Sequence, residues 1–118
     1  MAKTPEGLVK DLVVRCLEAH GIFPAKKAGA FPENASGWFY MPVQHMSVKG
    51  IPDFIGTYKT LFFAIETKAP GKKPTGFQAL QIAAIRQAGG AVFVVDGEES
   101  LKEFEAWLEA WHEHDQIR

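Results

Sequence analysis

With 118 residues, 47% of them hydrophobic, the chain holds enough apolar material for one core and too little for two, so a single domain is expected. A net charge of −1 argues against a strongly basic nucleic-acid binder, but the charge is divided: residues 1–95 carry a net of +5 and residues 96–118 a net of −6. No run of eighteen apolar residues and no secretory leader pattern appears, which points to an intracellular, non-membrane protein.

Thr4-Pro5-Glu6 opens the first predicted helix: Thr4 suits the cap, Pro5 the first helical position and Glu6 the positive end of the helix dipole. Leu8, Val9, Leu12, Val13, Cys16 and Leu17 recur at helical spacing, and Gly21 ends the pattern. Cys16, the single cysteine, has no disulfide partner and no thiol or histidine set for zinc, and reads as a small buried side chain. From Phe23 to Gly37 the chain is rich in Gly, Ala and Pro, as in a long mobile or substrate-facing loop. Trp38 to Val43 reads as a strand that Pro42 makes an edge or ends early.

Gly50 and Pro52 bracket the start of a short strand through Asp53-Phe54-Ile55. Gly56 to Thr60 supplies a turn, and Leu61 to Lys68 forms a long apolar strand that completes a hairpin. Pro74 to Ala88 has helical spacing through Phe77, Leu80, Ala84, Ile85 and Ala88, and stops at Gly89-Gly90. Ala91-Val92-Phe93-Val94-Val95 follows as a buried strand, joined to the long strand by that helix and therefore expected to lie parallel to it. Glu98 to His112 is an amphipathic helix with Leu101, Phe104, Leu108 and Trp111 inward. The fold class is α/β with a central mixed sheet flanked by helices.

The apolar strand runs straight into Glu66-Thr67-Lys68, which raises the question of why a buried strand ends in charge. Alternation puts Glu66 and Lys68 on one face. In a hairpin centred between Lys59 and Thr60, Asp53 stands opposite Glu66, with Cβ atoms roughly 4.5–5.5 Å apart. Two carboxylates so placed repel, and the apolar flanks Phe54, Ile55 and Ile65 leave little water to screen them. A hard divalent cation with oxygen ligands, Mg²⁺ or Mn²⁺, neutralises such a pair, and Lys68 stands where it would orient a bound water or stabilise developing charge.

Lys49-Gly50-Ile51-Pro52-Asp53, the Ile65-Glu66-Thr67-Lys68 segment, a glutamine at the start of the next helix and Gly89-Gly90 before a valine-rich strand together resemble the VRR-NUC domain. That domain is the virus-type replication and repair nuclease branch of the PD-(D/E)xK superfamily, and the likeness spans nearly the whole chain, as in a stand-alone phage-type member. It implies a restriction-endonuclease-like core and metal-dependent cleavage of DNA phosphodiesters. On that resemblance Asp53 and Glu66 are metal ligands, the carbonyl of Thr67 is another, Lys68 positions the water, and Gln78 (with Gln81 one turn on) is the family's glutamine. Glu6 answers to the family's acid in the first helix. Stand-alone members act on branched DNA such as four-way junctions as homodimers, which carries over as an expectation. The Gly/Ala/Pro-rich stretch departs from the family pattern.

Other residues have simpler readings beside the functional one. Lys72 and Lys73 suit either a solvated loop or phosphate contact, with contact favoured, and Lys26, Lys27 and Lys49 are weaker candidates for DNA. His112 and His114 read as a solvated pair, and Trp107 and Trp111 as core or dimer-contact residues, because Glu105, Glu109 and Glu113 disfavour DNA there. The rival function is a non-catalytic nucleic-acid-binding or replication-accessory module on the same fold, and a second alternative is hydrolysis of RNA or another phosphodiester.

Overall fold

The computed structural model describes residues 2–44 and 48–117, and side chains for 2–44 and 48–110. His45 and the side chains of Trp111, His112 and His114 thus lie outside what is described. Helix α1 (Pro5–Ala19) starts as its residue types require: the Thr4 hydroxyl accepts a hydrogen bond from the Gly7 amide at 3.0 Å and Pro5 fills the first turn. Such a cap contributes about 1 kcal/mol. The chain then runs through β1 (Ile22–Pro24), β2 (Gly37–Tyr40), β3 (Phe54–Tyr58), β4 (Leu61–Thr67), α2 (Gly76–Gln87), β5 (Ala91–Val95) and α3 (Glu98–Ile117).

The five strands form one mixed sheet in the order β1-β2-β3-β4-β5. β1 pairs parallel with β2, the β2/β3 and β3/β4 pairs are antiparallel, and β4 runs parallel to β5 through the α2 crossover. The expected hairpin register holds: Phe54 pairs with Ile65, Ile55 with Ala64 and Tyr58 with Leu61. The turn is shorter than expected, because Gly56 and Thr57 belong to β3 and only Lys59 and Thr60 lie outside the pairing. Both have positive φ, 47° and 75°, as a two-residue turn matched to strand twist demands. Gly56 acts as a strand residue for steric reasons: a Cβ there would stand 2.4 Å from the Trp38 carbonyl oxygen and 2.6 Å from the Phe63 ring.

Other boundaries also shift. The Gly/Ala/Pro-rich stretch is not all loop, since Ile22–Pro24 adds an edge strand whose buried Ile22 anchors it. β2 ends at Tyr40, so Pro42 marks an early end and not an edge. Helix α3 continues past His112 to Ile117.

One sheet face carries Ile22, Phe39, Phe54, Phe63, Ile65 and Val95 against α1 and α3. Phe104 lies 5.2 Å from both the Phe63 and Phe93 rings, and Trp107 packs against Tyr58, Phe63, Phe93 and Phe104. Trp107, partly buried, thus packs against this chain's own core. Cys16 is buried in the same layer, which pushes its thiol up to about 12 and makes it a poor nucleophile. The other face has a smaller cluster of Ala64, Ile82 and Val92, with Ile55, Ile85 and Val94 at its margin. Here α2 turns Ile82 inward and leaves Phe77 and Leu80 exposed, so its buried stripe is not the Phe77-Leu80-Ala84 row that spacing singles out. Among the described residues no helix is long and apolar enough to cross a membrane.

Candidate active site

The hairpin register brings the two acids together at the open end of the β3/β4 pair. Asp53 immediately precedes β3, and its Oδ2 accepts two hydrogen bonds from Thr67, from the amide at 2.9 Å and from Oγ1 at 2.6 Å. These bonds clamp the residue before β3 onto the last residue of β4. The approach to Asp53 is fixed as well. Gly50 has φ +82°, and a Cβ on it would lie 2.4 Å from the Phe77 carbonyl, so only glycine lets this segment pass against the start of α2.

Glu66 is 1% exposed and hydrogen-bonds to Asp53, while its Oε2 has no partner among the described residues. Burial, that bond and the Asp53 charge push the Glu66 carboxyl up to about 9, with Glu6 adding repulsion and Lys68 opposing it. At Asp53, burial also pushes upward, but the bonds from Glu66 and Thr67 and the charge of Lys10 prevail, and its carboxyl sits below the ordinary range. With no cation bound, these opposed shifts favour one proton shared by the pair near neutral pH, which relieves the repulsion expected between the two acids.

Glu6 and Lys68 both act on Glu66 through their charges, so the structure gathers Asp53, Glu66, Thr67, Lys68 and Glu6 in one neighbourhood. The Lys68 amide donates to the Val95 carbonyl at 2.9 Å, which extends the β4/β5 ladder one residue and fixes the lysine's backbone. Glu6 serves its helix too, pairing with Lys10 at 3.7 Å. Lys10 is the residue that sequence reasoning missed: its Nζ lies 3.9 Å from Asp53 Oδ1. Its place one helical turn after Glu6 signals the pairing with that acid, not the approach to Asp53.

Gln78 stands apart from this cluster in its bonding. Its Oε1 accepts from the Thr75 amide at 2.8 Å, and its own amide donates to Thr75 Oγ1 at 3.3 Å, the reciprocal box that starts α2. This side chain has a structural duty in addition to any catalytic one. Thr75→Ala removes only the cap and should cost about 1 kcal/mol of stability with cleavage intact. If Gln78 also acts in catalysis, Gln78→Ala will lose activity well beyond Thr75→Ala at equal destabilisation, measured by melting and initial rates.

The basic candidates surround the cluster unevenly. Lys72 and Lys73 follow Gly71, whose amide donates to Asp96 Oδ2 at 3.1 Å, while Asp96 Oδ1 accepts from Ser100 Oγ at 2.8 Å. These bonds, with the charge of Lys73, hold the Asp96 carboxyl low. Asp96 was also missed, and it ties the lysine loop to the start of α3. Lys49 lies over the Phe77 ring at 5.2 Å, beside Gly50. Lys26 donates to the Ala30 carbonyl at 3.1 Å in the segment after edge strand β1, and Lys27 lies next to it.

No family model, curated protein or solved structure matches this chain.

Among the described residues no three His, Cys, Asp or Glu side chains form a metal cage on their own. The donors present are two carboxyls of hard oxygen, and one buried oxygen, Glu66 Oε2, has no bond. That set suits Mg²⁺ or Mn²⁺, which take carboxylates, carbonyls and water, and not zinc. Asp53 and Glu66 would hold the ion, with the Thr67 carbonyl as a further oxygen donor.

Proposed function

We propose that this protein is a Mg²⁺- or Mn²⁺-dependent endonuclease that hydrolyses DNA phosphodiester bonds on a restriction-endonuclease-like PD-(D/E)xK core, with branched DNA as its substrate and a homodimer as its working form. The observation that carries the reading is the joined carboxyl pair Asp53/Glu66 with a buried, unbonded Oε2, facing the charge of Lys68. When bound there, the ion supplies charge neutralisation and lowers the pKa of a coordinated water.

The protein's own groups do the rest. The Thr67 amide and hydroxyl hold Asp53 in one orientation, with Oδ1 left toward Lys10. Glu66 must shed its proton to act as a ligand, and the Lys68 charge favours that ionised form. Lys68 then orients a water for in-line attack or stabilises the charge that develops on the phosphoryl oxygens. Lys72, Lys73 and Lys49 attract and register the phosphate backbone, with Lys26 and Lys27 as contacts further along the sheet.

A non-catalytic binding module on the same fold is the second reading. It has one observation in its favour: a proton on Glu66 suffices to make the acidic pair tolerable. Incubation with four-way junction, duplex, single-stranded DNA and RNA, each with Mg²⁺, Mn²⁺ or chelator, separates the readings. Metal-dependent scission of DNA, strongest on branched substrates, is the expected result. Binding without scission under every condition would establish the accessory module instead.

A further inference from the structure

The two carboxyl oxygens of Asp53 are used differently. Oδ2 takes both Thr67 bonds, at 2.9 and 2.6 Å, while Oδ1 faces the Lys10 ammonium at 3.9 Å. Lys10 reaches it from α1, where Glu6 lies 3.7 Å away, one turn earlier on the same helix. Asp11, the next acid along α1, is taken by Lys3 at 2.7 Å. Lys10 is therefore shared between Glu6 and Asp53. The Asp53 side chain is only 16% exposed, so water and salt screen this pair less than one on open surface.

An ammonium in this place bears on the ion proposed for the acidic pair. Oδ2 already accepts two bonds, so an ion held by Asp53 would draw chiefly on Oδ1, the oxygen that Lys10 faces. Two cations on one carboxylate oxygen repel, and the one with twice the charge, in direct coordination, has the advantage. Glu6 offers the displaced ammonium a partner within its present reach. The change then needs only a new rotamer of a long side chain and no movement of α1.

We propose that Lys10 is a stand-in cation: in the ion-free chain it serves the open side of Asp53, and it gives way to Mg²⁺ or Mn²⁺, so that ion uptake is an exchange and not a simple addition. The ion site itself rests on the nuclease reading, while the exchange is read from ion affinity, without cleavage. Removing a residue that merely props the site would weaken ion binding, whereas removing a competitor strengthens it. The sign of the effect therefore separates the two roles.

The test is Mn²⁺ titration of the full chain at fixed pH and low salt, followed by the electron spin resonance of the free ion. Lys10→Met keeps the apolar stem and drops the charge, and should bind Mn²⁺ about three- to tenfold more tightly than the parent chain. Lys10→Arg keeps the charge and should stay within about twofold of the parent. In the parent chain, Mn²⁺ should also raise the rate at which acetic anhydride modifies Lys10, read by mass spectrometry, and leave Lys3, paired with Asp11, unchanged. That second readout decides the matter even if Lys10→Met does not fold. A weakened affinity in folded Lys10→Met, an equal gain in Lys10→Arg, or a Lys10 modification rate that ignores the ion would each overturn the exchange. Equal Mn²⁺ affinity in parent and Lys10→Met would remove the exchange and leave the ion site of the nuclease reading standing. Mn²⁺ bound by neither chain would remove that site and the exchange with it, whereas Mn²⁺ bound by Lys10→Met alone would establish the exchange in its strongest form.

Discussion

Asp53→Asn is expected to abolish metal-dependent scission while leaving the fold in place. Asparagine keeps an oxygen that can accept both Thr67 bonds, now at 2.9 and 2.6 Å, so the clamp between the start of β3 and the end of β4 survives. What it loses is the ionised oxygen that would bind the cation and face Lys10. Lys68→Ala removes a charge that acts on Glu66 and that, in the proposed nuclease, stabilises the reacting phosphate, and should lower kcat by about 10²- to 10³-fold. Single-turnover rates on the preferred substrate, with circular dichroism as the folding control, provide the check. Full activity in either variant would show that the acidic cluster is not where phosphodiesters are cleaved.

The second large effect concerns pH. The Glu66 carboxyl is raised in the folded chain from an ordinary 4.5 to about 9, so between those values the folded state keeps a proton that the unfolded chain has released. Stability from this group is complete at low pH and is lost as pH rises toward 9, with a slope of at most about 1.4 kcal/mol per pH unit. Asp53, lowered in the folded state, gives a contribution of opposite sign that falls away only in acid. Glu66→Gln substitutes a neutral group of the same shape. It should flatten the decline seen in chelator between pH 5 and pH 8.5 and raise the melting temperature at the upper end. In the parent chain Mg²⁺ or Mn²⁺ competes with that proton, so the ion should raise the melting temperature more at pH 8.5 than at pH 6. Equal slopes in parent and variant would show that the pair does not store the proton, and no response to ion at any pH that it does not take the cation.

Much of the fold and of this cluster could be read from the chain because strong local signals agreed with the tertiary outcome. The continuous apolar run of β4, the Thr4-Pro5 start of α1 and the Gly89-Gly90 stop after α2 each have one cheap solution. The hairpin register followed from the turn, and with it the meeting of Asp53 and Glu66. What escaped depended on long-range packing. β1 has three residues, too few to show a period, and exists because Ile22 is buried and β2 offers an edge. The inward stripe of α2 depends on where the helix lands on the sheet, which brought Ile82 inside and left Phe77 out. Lys10 joined the acids because α1 crosses near the end of β3, and no spacing rule along the chain reports such a crossing. The proton on Glu66 is likewise a matter of depth. Two facing acids signal repulsion, but whether a metal or a proton settles it depends on how far solvent is excluded.

The two-residue tip at Lys59-Thr60 has a consequence for how this lineage can vary. Twelve residues separate the two acids, and in a ladder of period two each one counts toward which side a residue faces. A single-codon insertion or deletion anywhere in that interval would turn one acid away from the other, whereas substitutions at the tip by residues that accept positive φ leave the count intact. Drift here should therefore change residue type far more readily than length, unless a bulge elsewhere in the hairpin restores the parity.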